Sequence, residues 1–295
     1  MTAQASQLTS AREPAAVSPA ASVIRVEGLQ AFYGAQQVLF DIDLTVMPGE
    51  IMVVMGGSGS GKSTLLRHLV GLSRPAAGRI ELLGFDITRA RSMEMLALRR
   101  KIGVAFQGGA LFSSMNVLDN IMLPLREHAR LDRKTMEIMA RLKLEVVNLA
   151  GADALMPSEL SGGMLKRAAV ARAIIMDPTL LFFDEPSAGL DPTVSSALDD
   201  LILKLREAMN MTMVVVTHEL ESAFKIADRI TILDQGRILL VDDVAGVRRS
   251  DNPRIQNLLN RRSEETEVDA QAYLQRLTGE TPTPPAATNE TPEAS

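Results

Sequence analysis

The sequence predicts an α/β domain, and three observations lead to it. Short apolar runs alternate with helix-spaced segments from residue 23 to about residue 248. A glycine-rich loop joins one of these runs directly to a helical pattern. A second apolar run ends in two adjacent carboxylates, at the place where an α/β sheet carries its ligand chemistry.

The elements follow in order. Asp41–Val46 alternates polar and apolar residues, as a half-buried strand should. Pro48-Gly49 turns the chain into the apolar run Ile51–Met55. The glycine loop leads to a helix from Ser63 that stops near Gly71. Further buried strands are expected at Ile102–Phe106, Leu180–Asp184, Thr212–Val216 and Ile230–Leu233. Between Phe106 and Pro178 the spacing is helical, with Arg133–Leu149 the longest run, so a helical subdomain at about 108–178 is expected inside the α/β core. Residues 1–22 and 279–295 are rich in Ala, Ser, Pro, Thr and Glu and read as mobile tails. Residues 249–278 form an extension beyond the domain, and there is no internal repeat.

Composition narrows the chemistry. The chain has 295 residues, 46% hydrophobic and 23% charged, so it has the means to bury a core. A net charge of −5 gives no general attraction to nucleic acid. With no cysteine there is no disulfide, no thiolate catalysis and no cysteine-held metal. The three histidines, His68, His128 and His218, lie far apart in sequence and form no ligand pattern. No apolar run approaches the roughly 18–20 residues that span a bilayer, and the N-terminal stretch lacks a signal-peptide core, so a cytosolic protein is expected.

Three segments carry chemistry. Gly56-Gly57-Ser58-Gly59-Ser60-Gly61-Lys62-Ser63-Thr64 fits a phosphate-binding loop between a strand and a helix. Backbone N–H groups and the helix N-terminus attract phosphate, Lys62 bridges the β- and γ-phosphates, Ser63 ligates Mg²⁺, and Thr64 adds a hydroxyl. A flexible glycine-serine linker is the plain alternative. Asp184 and Glu185 end an apolar strand; Asp184 is the expected Mg²⁺ partner and Glu185 the base for a water nucleophile. Alone, this pair could equally cap the next helix. Leu160-Ser161-Gly162-Gly163-Met164, followed by Lys166 and Arg167, reads as a capped helix start whose glycines permit the approach of a second phosphate.

In this order the phosphate loop, Gln107, Leu-Ser-Gly-Gly, the strand ending in Asp-Glu, Ser187-Ala-Gly-Leu-Asp191 and His218 resemble the ABC-type ATPases over residues 23–245. The resemblance implies a RecA-like core of the P-loop NTPase class, with an antiparallel β subdomain and an inserted α-helical subdomain. It implies ATP and Mg²⁺ as ligands, and a head-to-tail homodimer in which Ser161, Gly162 and Gly163 complete the site of the other copy. It further implies that Tyr33 stacks on adenine and that Gln107 senses Mg²⁺ and water at the transporter contact. Asp191 would lie at the dimer seam, and His218 would hold the γ-phosphate and the water. Each has a plainer reading: strand aromatic, loop residue, helix cap and structural histidine respectively.

A closer similarity lies in Gln107–Ile121, Pro124–His128, Met156–Arg167 and Asn252–Leu259. These segments resemble the ATPase of the Mla-type, MCE-associated phospholipid transporters of Gram-negative bacteria. Methionine at position 164 is its particular mark, where many importers carry Gln. The resemblance implies two permease subunits, a ring of MCE-domain proteins, a small STAS-domain partner, phospholipid as cargo, and a peripheral place on the cytoplasmic face of the inner membrane. It also implies that residues 249–278 reach the neighbouring ATPase, whereas a helix folded back on its own domain would serve as well. Other ABC systems for hydrophobic cargo and non-transport ABC ATPases are the rival classes. The latter usually carry two such domains, or long heptad coiled coils, absent from this sequence.

Overall fold

The computed structural model describes residues 22–260. Strands β1 (Ile24–Tyr33) and β2 (Gln36–Val46) form an antiparallel hairpin. Beyond β3 (Ile51–Met55) and α1 (Lys62–Leu69), β4 (Ala77–Leu82) returns to the other side of β1, and the short β5 (Phe85–Asp86) pairs with β4. The result is a four-stranded antiparallel sheet in the order β2-β1-β4-β5. Its inward residues, among them Ile24, Leu29, Leu39, Ile42 and Ile80, share one core with Met52 and Val54 of β3 and with Leu65 and Leu69 of α1.

After α2 (Ser92–Arg99), strand β6 (Ile102–Ala105) enters a second sheet. Three helices separate it from β7 (Leu180–Asp184). These are α3 (Val117–His128), α4 (Arg133–Val146) and α5 (Gly162–Ala173), capped by the side chains of Asn116, Asp132 and Ser161. No strand falls between β6 and β7, as the helical spacing predicts. Helix α4 ends three residues before the expected Leu149, because the chain turns at Asn148, which adopts a left-handed φ of 55°.

Helix α6 (Pro192–Met209), capped by Asp191, leads to β8 (Thr212–Val216). Then come α7 (Leu220–Ile226), β9 (Arg229–Asp234), β10 (Arg237–Asp242) and α8 (Val244–Arg249). The second sheet runs β10-β9-β3-β8-β7-β6, with only β10 antiparallel. Its central strands β3 and β8 are buried at every position, which is why they read as unbroken apolar runs instead of alternating ones.

Helix α9 (Pro253–Leu259) forms part of a separate compact unit, with Asn252 as its N-cap. The tails expected at 1–22 (residue 22 apart) and 279–295 and the greater part of the extension at 249–278 lie outside the described residues. Among the described residues no helix is long and apolar enough to cross a membrane.

Candidate active site

Three neighbouring strands deliver the chemistry. In the register, Val54 of β3, Val216 of β8 and Asp184 of β7 form one row across the sheet. One residue further on, Glu185 N–H donates to Val216 O at 2.8 Å and Thr217 N–H to Val54 O at 3.1 Å. The glycine loop, the Asp-Glu pair and His218 therefore leave the same edge side by side, although well over a hundred residues separate the first from the last.

The loop is shaped by close approach. Gly61 has φ of 104°, and a Cβ there would meet Leu39 Cδ2 of β2 at 2.7 Å. Only glycine satisfies both the backbone angle and the space. Lys62 opens α1 and folds back over the loop, its Nζ donating to Gly56 O and Gly57 O at 2.9 Å each. Burial pushes the Lys62 ammonium below the ordinary lysine range, and the carboxylates of Glu185 and Asp184 pull it back up. Ser58 and Ser63 are exposed beside it, and Thr64 is half-buried. This is a cationic, donor-rich cradle at a helix N-terminus, the chemistry that binds phosphate.

Asp184 and Glu185 divide the acidic work. Asp184 Oδ1 is buried with no hydrogen-bond partner. Burial, reinforced by the charge of Glu185, raises the Asp184 carboxyl above its usual range, against Lys166, Arg67 and Lys62. An orphaned, desolvated carboxylate oxygen fits a hard divalent cation completed by phosphate oxygens. Among the described residues no cluster of three or more His, Cys, Asp or Glu is arranged to hold a metal.

Glu185 has φ of 47°, a left-handed angle that costs a non-glycine residue on the order of 1–3 kcal/mol. Its surroundings over-determine it. The amide is tied to Val216, and Glu185 Oε2 lies 2.9 Å from His218 Nδ1 and accepts from the His218 amide at 3.3 Å. His218 Nε2 lies 3.4 Å from Glu219 Oε1. Gln107 is exposed in the loop after β6, and its carbonyl is bound by Lys166 Nζ.

Tyr33 and the group Ser161, Gly162, Gly163 and Asp191 belong to other surfaces. Tyr33 is 80% exposed at the β1–β2 hairpin, on the sheet whose strand β2 touches the glycine loop through Leu39. The Ser161 segment forms another surface. Ser161, Gly162, Gly163, Arg167, Leu190 and Asp191 line a concavity of about 380 Å³. Ser161 Oγ accepts from Met164 N–H at 3.3 Å, and Asp191 accepts from Thr193 and Val194 N–H at 3.0 Å. Gly163 is also a packing glycine, because a Cβ there would meet Val194 Cγ1 at 2.6 Å. Sequence reasoning noted Lys166 without giving it a role. Its contacts join residues far apart in the chain, and only its place one turn beyond a serine cap could have drawn attention to it.

The family profile described as "ABC transporter" matches residues 39–188. The intermembrane phospholipid transport system ATP-binding protein MlaF of Haemophilus influenzae is 38% identical over 259 residues, 87% of this chain and 98% of that protein. The chain belongs to the ABC transporter family. It is an MlaF-like ABC transporter ATPase with the mixed α/β fold of the P-loop NTPases. Similarity is not confined to MlaF. A probable ribonucleotide transport ATP-binding protein, mkl, of Mycobacterium bovis is 38% identical over 239 residues, 81% of this chain and 67% of that one. Among solved ABC structures, the ATP-binding cassette MJ0796, in a dimeric post-hydrolysis state bound to ADP and Pi, superposes with a TM-score of 0.70. It is 29% identical, with 75% of this chain and 98% of that chain covered.

Proposed function

We propose that this chain powers phospholipid movement between the inner and outer membranes as the ATPase of a Mla-type complex. The observation that carries the catalytic part is the convergence of Lys62, Asp184, Glu185 and His218 at the ends of three adjacent strands. ATP enters with its phosphates against residues 56–61, and Lys62 exchanges its loop carbonyls for the β- and γ-phosphate oxygens. Thr64 adds its hydroxyl and Tyr33 offers a face to adenine. Asp184 Oδ1, the Ser63 hydroxyl and Gln107 would hold Mg²⁺, which when bound neutralises phosphate charge. Glu185 orients a water against the γ-phosphorus and takes its proton as the bond to the β,γ-bridging oxygen breaks. His218 steers the Glu185 carboxylate and supplies a donor for the γ-phosphate.

The half-site at Ser161, Gly162 and Gly163, with Asp191 beside it, would receive the γ-phosphate held by a second copy. The dimeric state named for MJ0796 supports that arrangement. ATP then draws two copies together, and loss of the γ-phosphate releases them. We take residues 23–248 as the ATPase domain, with a helical subdomain at about 108–178 and a C-terminal extension at 249–278 that reaches the neighbouring copy. The remaining partners would be two permease subunits, an MCE-domain ring and a small STAS-domain protein, at the cytoplasmic face of the inner membrane and without nucleic acid. The cargo rests on similarity to MlaF over nearly its full length. The mkl name favours ribonucleotides as the second reading.

Purification of the complex from native membranes, followed by lipid analysis, tests the cargo. Recovery of a permease and an MCE-domain protein with bound phospholipid is expected. A complex devoid of lipid and carrying nucleotide cargo would replace this reading with the second. In parallel, Glu185→Gln should bind ATP and dimerise while barely turning over; hydrolysis near the parent rate would remove Glu185 from the role of base.

A further inference from the structure

Lys166 has no part in the mechanism above, yet it is placed at its centre. It leaves α5 one turn beyond the Ser161 cap and is 8% exposed. Its Nζ donates to the backbone carbonyl of Glu185 at 3.0 Å and to that of Gln107. A buried ammonium persists where its donors are met and its charge is balanced. Here two carbonyls accept from two of its donors, and the charges of Asp184 and Glu185 partly offset the cost of burial. Arg172, further along the same helix, donates to Gly109 O at 2.9 Å and to Ala110 O at 2.7 Å, so α5 grips the loop after Gln107 twice. Lys166 alone also reaches Glu185.

That second contact falls where the backbone most needs it. Glu185 sits at a left-handed φ, with its amide held by Val216 and its carboxylate by His218. The remaining polar group, the carbonyl, accepts from the Lys166 ammonium at 3.0 Å and from the Ala188 amide at 3.3 Å, and of these two only Lys166 ties the peptide to α5. Rotation of that peptide would swing the carboxylate away from its place beside His218. We propose that Lys166 is a positioning residue for hydrolysis. By clasping the carbonyls of Gln107 and Glu185 from α5, it keeps the Glu185 carboxylate aimed at the attacking water and ties that aim to the seating of α5.

The inference rests on Glu185 as the base, and the test separates the two. Full-length Lys166→Met, Lys166→Arg and Glu185→Gln are compared with the parent by phosphate release, by binding of a fluorescent ATP analogue and by thermal melting. For Lys166→Met, KM and analogue affinity should stay within about twofold of the parent, the mark of an interaction spent on turnover and not on binding. Its kcat should fall about 10- to 100-fold, as for other small displacements of a catalytic group. Lys166→Arg, which keeps charge and donors, should recover most of that loss. Parent-like kcat in Lys166→Met, with Glu185→Gln inert, overturns the role of Lys166 alone. Near-normal Glu185→Gln overturns the base and this inference with it. If Lys166→Met does not fold, Lys166→Gln is judged by the same criteria. A fall in kcat matched by a rise in KM and a lower melting temperature, or failure of both variants to fold, makes Lys166 a structural brace and overturns the proposal.

Discussion

His218 Nδ1 lies 2.9 Å from Glu185 Oε2, and the His218 amide donates to the same oxygen at 3.3 Å. Both contacts fall on one oxygen, so the rotation of the carboxylate is set by the loop after β8. Replacing His218 by Ala removes the ring contact and keeps the amide one. Turnover by His218→Ala should fall about 100- to 1,000-fold, the range for the loss of one preorganised donor to developing charge. Single-turnover phosphate release would measure it, with nucleotide binding largely retained.

The Lys62 ammonium donates to the Gly56 and Gly57 carbonyls at 2.9 Å each. Lys62→Met should therefore lose a charged contact to ATP and also loosen the loop. Affinity for ATP should drop roughly 10- to 100-fold, the worth of one hydrogen bond to a charged group. Equilibrium binding of a labelled ATP checks this, and unchanged affinity would show that the lysine never leaves its carbonyls.

Gly163→Ala drives a methyl against Val194 Cγ1. We expect a loss of about 1–3 kcal/mol from overpacking, partly offset by alanine's better helix propensity. Trimming the opposing side chain in Gly163→Ala/Val194→Ala should restore both stability and hydrolysis. Restored stability with hydrolysis still absent would point to a second demand on Gly163, for room at the nucleotide.

Asp199 on α6 is 3% exposed, with Oδ2 accepting from Ser222 Oγ at 2.9 Å and Oδ1 without a partner. Burial raises its carboxyl above the usual range; the Ser222 hydrogen bond and Lys225 oppose this, and Asp200 adds to it. The folded state then holds the proton more tightly than the unfolded state. Its contribution is full below the ordinary carboxylate pKa of about 4 and is lost as pH rises through the raised value. Asp199→Asn, uncharged at any pH, should thus be more stable than the parent at pH 8 and lose that advantage on acidification. Urea melts across pH decide it, and a pH-independent difference would refute the assignment.

The strands with unbroken apolar runs were legible because burial on both faces leaves little room for polar residues. Ile51–Met55, Leu180–Asp184 and Thr212–Val216 match the structure to the residue. The pattern of β1 was not legible by itself. Three register shifts against β2 break its alternation, so apolar residues do not recur at every second place. Strand β10 was missed for a related reason, since its interior positions are only half-buried on an edge. Within the site, Lys62, Asp184 and Glu185 could be read because their neighbours in sequence explain them. Lys166 and Asp199 could not, because what makes each unusual is a partner on another element.

The central position of β8 bears on synthesis as well as on chemistry. The ribosome releases β3 and β7 before β8, yet β8 lies between them in the finished sheet. Until residue 216 has emerged, the lysine and the two carboxylates have no common edge to stand on. A nascent or truncated chain thus carries every acidic and basic part of the site except His218 and still has no assembled centre. The last of the three strands to be made is therefore the one that brings the charged groups of the other two onto a common edge.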